Sequence, residues 1–141
     1  MKISVIPETD KTPSITFDEE KKIFEIRGMC LPENILEFNE HVIKILENYL
    51  HDFVFSTENN VKSNTFQLNF KLGYYNSSAT KFIANVLMLA NSYIQKEGNI
   101  KINWFYLESD HDMLESGQDM SRMIEIPMEF IKISSLDEEK F

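Results

Sequence analysis

Leu72-Gly73-Tyr74-Tyr75-Asn76-Ser77-Ser78-Ala79-Thr80-Lys81 is the stretch on which the fold turns, because a strand pattern ends inside it and a helix pattern begins. Upstream, Phe66, Leu68, Phe70, Leu72 and Tyr74 alternate with Gln67, Asn69, Lys71 and Gly73, the period of two expected of a half-buried strand over 64–75. Downstream, Ile83, Val86, Leu87, Ala90, Tyr93 and Ile94 recur at helical spacing, which predicts a helix from about Ser77 to Lys96. Glu97-Gly98-Asn99 supplies a glycine terminator for it. Between the two patterns, Asn76, Ser77 and Ser78 are residue types that accept hydrogen bonds from the free amides of a first helical turn. A phosphate on a serine there meets those amides and the positive end of the helix dipole, so the domain is expected to tolerate the modification.

Working outward, Ile3–Ile6 and Ser14–Phe17 read as short strands on either side of a polar segment. Asp18-Glu19-Glu20-Lys21 makes a turn, and Ile23–Ile26 returns as the second arm of a hairpin, whose exit is marked by Gly28 and Pro32. Pro32-Glu33-Asn34 opens a helix with Ile35, Phe38, Val42, Leu46, Tyr49 and Phe53 along one face, and residues 56–63 form a polar loop. After the central stretch comes a buried strand, Ile100–Leu107, whose apolar run Trp104-Phe105-Tyr106-Leu107 suggests cover on both faces. Met113, Leu114, Met120, Met123 and Ile124 favour a third helix with a break near Gly117. Pro127 ends it, and Met128–Ile133 reads as a last strand before an acidic tail over about 134–141. Helices alternating with strands through short connections imply right-handed crossovers. The expected fold is α/β: a mixed, largely parallel sheet, helices packed against it and an N-terminal hairpin.

At 141 residues the chain fits one domain over 1–141, with 43% hydrophobic and 12% aromatic residues, enough for a core without disulfides. A formal net charge of −9 argues against nucleic acid and anionic membrane as partners and towards a protein surface. Cys30 is the only cysteine, so no internal disulfide forms, and a cytoplasmic protein with Cys30 as a small buried hydrophobe fits best. No apolar run approaches the ~18 residues that span a bilayer, and Met1–Pro7 lacks the apolar centre of a signal peptide.

Catalysis finds little support. There is no nucleophile elbow, metalloprotease helix or cysteine–histidine pair that sequence locates, and only 4 glycines with which to build a nucleotide loop. Residues 108–119 are acidic, and Asp110 and Asp112 alternate as in a calcium loop, but Ser121 occupies the place of the bidentate glutamate. His41 and His51 bear no ligand-like spacing to His111. This segment reads as a solvated strand-to-helix loop, as a partner-binding loop through Asp110, Asp112 and Glu115, or as a small-molecule or metal site. Ser77, Ser78 and Thr80 read either as caps alone or, with Lys81 near enough to pair with an added phosphate, as a modification site. The residues leave open which of Ser77 and Ser78 is modified. No cofactor is implied.

Thr12-Pro13, Phe17-Asp18, Gly28 with Pro32-Glu33-Asn34, Tyr75-Asn76-Ser77-Ser78 with Lys81, Asn103-Trp104-Phe105-Tyr106 and Asp112-Met113-Leu114-Glu115-Ser116-Gly117 follow, in this order, the pattern of the SiaC-type regulatory phosphoproteins. The resemblance spans about Thr9 to Pro127. It implies a STAS-like, non-enzymatic partner-switching protein of bacteria, phosphorylated by a histidine-kinase-like ATPase and dephosphorylated by a PP2C-type phosphatase. The unphosphorylated form is expected to bind an effector, a diguanylate cyclase, linking it to cyclic di-GMP and biofilm regulation. The modified hydroxyl then falls on Ser77, where the family usually has threonine, and the docking surface on Asn76, Ser78, Thr80 and Lys81, with Asp110, Asp112 and Glu115 as further contacts. The chain departs from the pattern at Ala79, Thr80 and Met29-Cys30-Leu31.

Overall fold

The structure is a computed structural model that describes residues 1–56 and 65–137. Residues 57–63 of the polar loop expected over 56–63, the expected strand's first residue Asn64 and the tail beyond Asp137 lie outside the described residues. The elements are β1 (Lys2–Ile6), β2 (Ser14–Asp18), β3 (Ile23–Cys30), α1 (Ile35–Phe55), β4 (Phe66–Tyr75), α2 (Ser77–Ile94), β5 (Ile100–Leu107), α3 (His111–Ile124) and β6 (Glu129–Ile133). The six strands form one sheet in chain order. The first two pairings are antiparallel and the next three parallel, so a hairpin unit leads into a parallel unit, as the alternation of patterns implies.

Each parallel step is bridged by one helix and all steps cross the sheet in the same direction. Right-handed connections therefore put α1, α2 and α3 on one face. That face carries the core: Ile15, Phe17, Phe24, Ile26, Phe66, Leu68, Phe70, Ile102 and Trp104 from the strands meet Val42, Leu46, Leu50, Phe82, Ile83, Val86, Leu87, Met113 and Met120 from the helices. Phe38 of α1 and Phe82 of α2 meet edge to face at 5.3 Å, and the Asn85 amide donates to Asn39 Oδ1 at 3.1 Å, which fixes the two helices against each other.

Three glycines behave differently from the sequence reading. Gly28 lies within β3 rather than after it, since the strand runs on to Cys30. Its φ of +119° sits at a bulge where Gly28 pairs with Leu72 and Met29 with Tyr74, leaving Gly73 as the extra residue. Gly117 does not break α3, which is continuous; it is buried, and a Cβ there would stand 2.5 Å from the Trp104 indole nitrogen. The glycine exists to let a helix lie on a tryptophan. At the end of α2 the left-handed residue is Glu97, not Gly98. Gly98 instead donates its N–H to the Tyr93 carbonyl at 2.9 Å, and a Cβ there would come within 2.8 Å of that oxygen. The glycine terminator is required by close approach rather than by φ.

The face opposite the helices is not a plain solvated surface. Glu25, Asn69, Lys71, Asn103 and Phe105 are all buried there. After β6 the chain turns back over this face: Arg27 Nε donates to the Leu136 carbonyl at 3.2 Å, its guanidinium pairs with Asp137, and Leu136 lies against Gly73.

Candidate functional site

The bulge re-aims the end of β4 just before the β4–α2 junction, leaving Tyr74 half-exposed and Tyr75 packed on the core. Asn76 follows in extended backbone, its N–H held by the Cys30 carbonyl at 3.4 Å. Its side-chain oxygen accepts the Ala79 N–H at 3.1 Å and also the Ser78 hydroxyl at 2.8 Å. The cap is therefore Asn76, with Ser78 leaning on it. Of the three candidate capping residues, the exposed Ser77 takes no part in this pair of bonds. Ser77 is the first residue of α2, and Lys81 stands one turn on, at the i,i+4 position, also exposed. Thr80 is half-buried.

Ser78 and Lys81 line a groove of about 180 Å³ with Ile35, Leu36, Asn39, Phe82 and Asn85. Its far wall is the start of α1, where Asn34 caps the helix by accepting the Glu37 N–H at 3.2 Å. Leu36 is 76% exposed beside it. Leu36 and Asn39 escaped the sequence reading, which followed the buried stripe of α1. The available signal was Leu36 itself, an apolar residue off that stripe.

The acidic segment is mostly helix rather than loop. Asp110 caps α3 by accepting the Met113 N–H at 3.1 Å, and Asp112 and Glu115 are exposed on the helix that follows. Because β4 and β5 are parallel, α2 and α3 begin at the same edge of the sheet. Asp110, Asp112 and Glu115 are thus neighbours of the Ser77 turn by topology, but none of them lines the groove. Among the described residues no group of three or more His, Cys, Asp or Glu is placed to hold a metal ion. Cys30 is fully buried, and burial pushes its thiol up to about 12, far from a nucleophile's range. Among the described residues no helix is long and apolar enough to cross a membrane.

The family model for the SiaC family of regulatory phosphoproteins matches residues 6–133 of the chain. A search of curated protein sequences returned no significant match. Among solved structures, apo-SiaC from Pseudomonas aeruginosa matches with a TM-score of 0.72 at 23% identity, over 94% of this chain and 98% of that one. A crystal structure of the diguanylate cyclase SiaD in complex with its activator SiaC, from the same organism, matches with a TM-score of 0.76 at 23% identity, over 91% of this chain and 98% of the matched one. These likenesses establish the shared fold.

Proposed function

The chain belongs to the SiaC family of regulatory phosphoproteins, and from that membership we propose that it is a non-enzymatic, cytoplasmic signalling switch whose state is set by phosphorylation of Ser77. The observation that carries the reading is the division of labour at the start of α2. Asn76 and Ser78 make the cap, so Ser77 presents an exposed hydroxyl that stability does not require. A phosphoryl group on it would stand at the positive end of the helix dipole, one turn from Lys81, and leave the fold intact.

The docking face in this proposal is the groove between α1 and α2, with Ser78 and Lys81 on one side and Leu36 on the other; Asn76 and Thr80 extend it from the same turn of α2, and Asp110, Asp112 and Glu115 along the sheet edge. The effector is a diguanylate cyclase, by analogy with the complex in which SiaC is described as the activator of SiaD. A kinase adds the phosphate and a PP2C-type phosphatase removes it. Roughly two added negative charges at the rim of a packed interface repel and cannot be solvated there, so the effector is released without rearrangement of the domain.

The test is a titration of the host's diguanylate cyclase with wild type, Ser77→Ala and Ser77→Glu. Ser77→Ala binds like wild type, while Ser77→Glu binds at least about tenfold more weakly. Superimposable curves for Ala and Glu would overturn the assignment of Ser77.

A further inference from the structure

After β6 the chain recrosses the face of the sheet opposite the helices and reaches β3 and β4 with Leu136 and Asp137. We propose that Arg27, Met29 and Gly73 form a peptide-docking slot that this strap keeps shut, and that its partner is a protein segment carrying the same pair, an aliphatic residue followed by a carboxylate.

The slot has the parts that read a peptide. Gly73 lacks the positive φ that Gly28 has, so its own backbone does not call for glycine. A Cβ at 73 would stand 3.2 Å from Met29 Sδ and 3.3 Å from Leu136 Cδ1, tighter than ordinary contact. The missing side chain is the seat of the leucine, and Met29, 37% exposed, is a wall that adapts to other aliphatic shapes. Arg27 reads both main chain and charge. Its Nε donates to the Leu136 carbonyl at 3.2 Å while the guanidinium pairs with the Asp137 carboxylate, a double engagement that the planar fork of arginine provides. An aliphatic seat, a backbone donor and a carboxylate partner, set side by side on two strands, fix both the sequence and the direction of a bound segment.

The strap is matched to the slot but loosely held. The pairing of β6 with β5 stops at Ile133, so residues 134–137 join no strand ladder. The Asp137 side chain is 83% exposed and that of Arg27 33%, and an ion pair so open to water holds weakly. Leu136 is half-buried, and Ser134 and Ser135 are exposed. Segments secured in this way open at low cost, and a competing segment can then take their place. A departing strap leaves Arg27 without its carboxylate, so the replacement is favoured when it brings one. General attraction does not select an acidic segment in a molecule of net charge −9; the slot has to. The slot adjoins the switch without belonging to it. Met29 precedes Cys30, whose carbonyl holds the Asn76 N–H at 3.4 Å, but the strap and the groove between α1 and α2 lie on opposite faces of the sheet, so the proposal stands whether or not Ser77 is phosphorylated.

Amide chemical-shift mapping on the full chain tests this, with a capped peptide of residues 133–137 as the probe and two proteins, wild type and the Leu136→Ala, Asp137→Ala double variant. Both substitutions lie outside the strands and helices, so the variant is expected to fold. Its amides move at 27–29 and 73–74 relative to wild type, because the strap has come away. The peptide then gives saturable shifts at those same amides and restores them towards their wild-type positions. Wild type binds the peptide about tenfold more weakly or worse, since its own strap competes from an effective concentration in the millimolar range. Adding Arg27→Ala to the double variant abolishes binding, and so does replacing the peptide's aspartate by lysine. Amides at 27–29 and 73–74 that stay in place in the double variant, a peptide that does not bind it there, equal affinity for the two proteins, or binding that survives Arg27→Ala would each overturn the proposal.

Discussion

Asn76 and Ser77 are adjacent and equally polar, yet the geometry gives them opposite jobs. Asn76 satisfies an amide of the first turn of α2 and receives the Ser78 hydroxyl, so it holds the helix end together. Asn76→Ala is expected to cost about 1 kcal/mol in urea denaturation, the usual loss for an uncapped helix. Ser77→Ala is expected to stay within about 0.5 kcal/mol of wild type, as for a surface substitution that removes no contact. The reverse order of stabilities would return Ser77 to the role of cap and remove the argument for its availability. Sequence narrows the site to three hydroxyl or amide side chains but cannot divide them, because Asn, Ser and Thr all have the chemistry of a cap. Only the φ and ψ of the strand exit, set by the bulge opposite Gly28, decide which of them meets the amides.

Elements follow the sequence wherever a pattern runs long enough to fix a face. β4 and α2 are legible because ten and eighteen residues keep their period, and β5 because Trp104 and Phe105 bury on opposite faces. Glycine misleads at this scale, since a glycine required by a neighbour looks the same in sequence as one required by its own backbone. Gly117 is the clearest instance: α3 lies so close on β5 that the Trp104 indole N–H donates to the Met113 carbonyl at 2.9 Å. A methyl group at 117 would have to displace that indole, which is fully buried. Gly117→Ala is expected to destabilise the protein by about 3 kcal/mol despite alanine's higher helix propensity. Trp104 is the only tryptophan in the chain, so its fluorescence reports the displacement directly. An unshifted emission spectrum together with a gain in stability would mean that α3 is not seated on Trp104.

The make-up of the whole sheet, an N-terminal hairpin followed by strands alternating with helices in a mixed, largely parallel sheet, was readable because short connections and one hand of crossover leave few alternatives; the order of the strands across it comes from the structure. What lies on the face opposite the helices was not readable, because Glu25, Asn69 and Lys71 occupy positions that an alternating pattern assigns to solvent. The far ends of the chain come to this face, Lys2 reaching Glu25 from one terminus and the Leu136 segment lying against Arg27 and Gly73 from the other. Burial of polar groups also sets how the folded molecule responds to alkali. Burial lifts the Cys30 thiol from 9.0 to about 12, and burial together with the Glu47 carboxylate, which accepts the Tyr93 hydroxyl at 2.8 Å, lifts Tyr93 from 10.0 to about 12. In the folded protein both groups keep their protons up to these raised values, whereas the unfolded chain releases them near the ordinary ones. Between pH 9 and 12 the unfolded state therefore binds fewer protons, and stability must fall as pH rises; below pH 9 the contribution of both groups is fully present. Each group adds a slope of up to about 1.4 kcal/mol per pH unit once its unfolded form is ionised. Urea unfolding of wild type and of the Cys30→Ala, Tyr93→Phe double variant, measured at steps from pH 8 to 11, should give stability curves that run parallel near pH 8. They converge as the wild type declines faster. Lysine ion pairs that fail in the same range are common to both proteins, so the difference between the curves isolates the two buried groups. Curves that stay parallel to pH 11 would show that Cys30 and Tyr93 ionise in the folded protein as freely as in the unfolded chain, which the packing of α1, α2 and β3 does not allow.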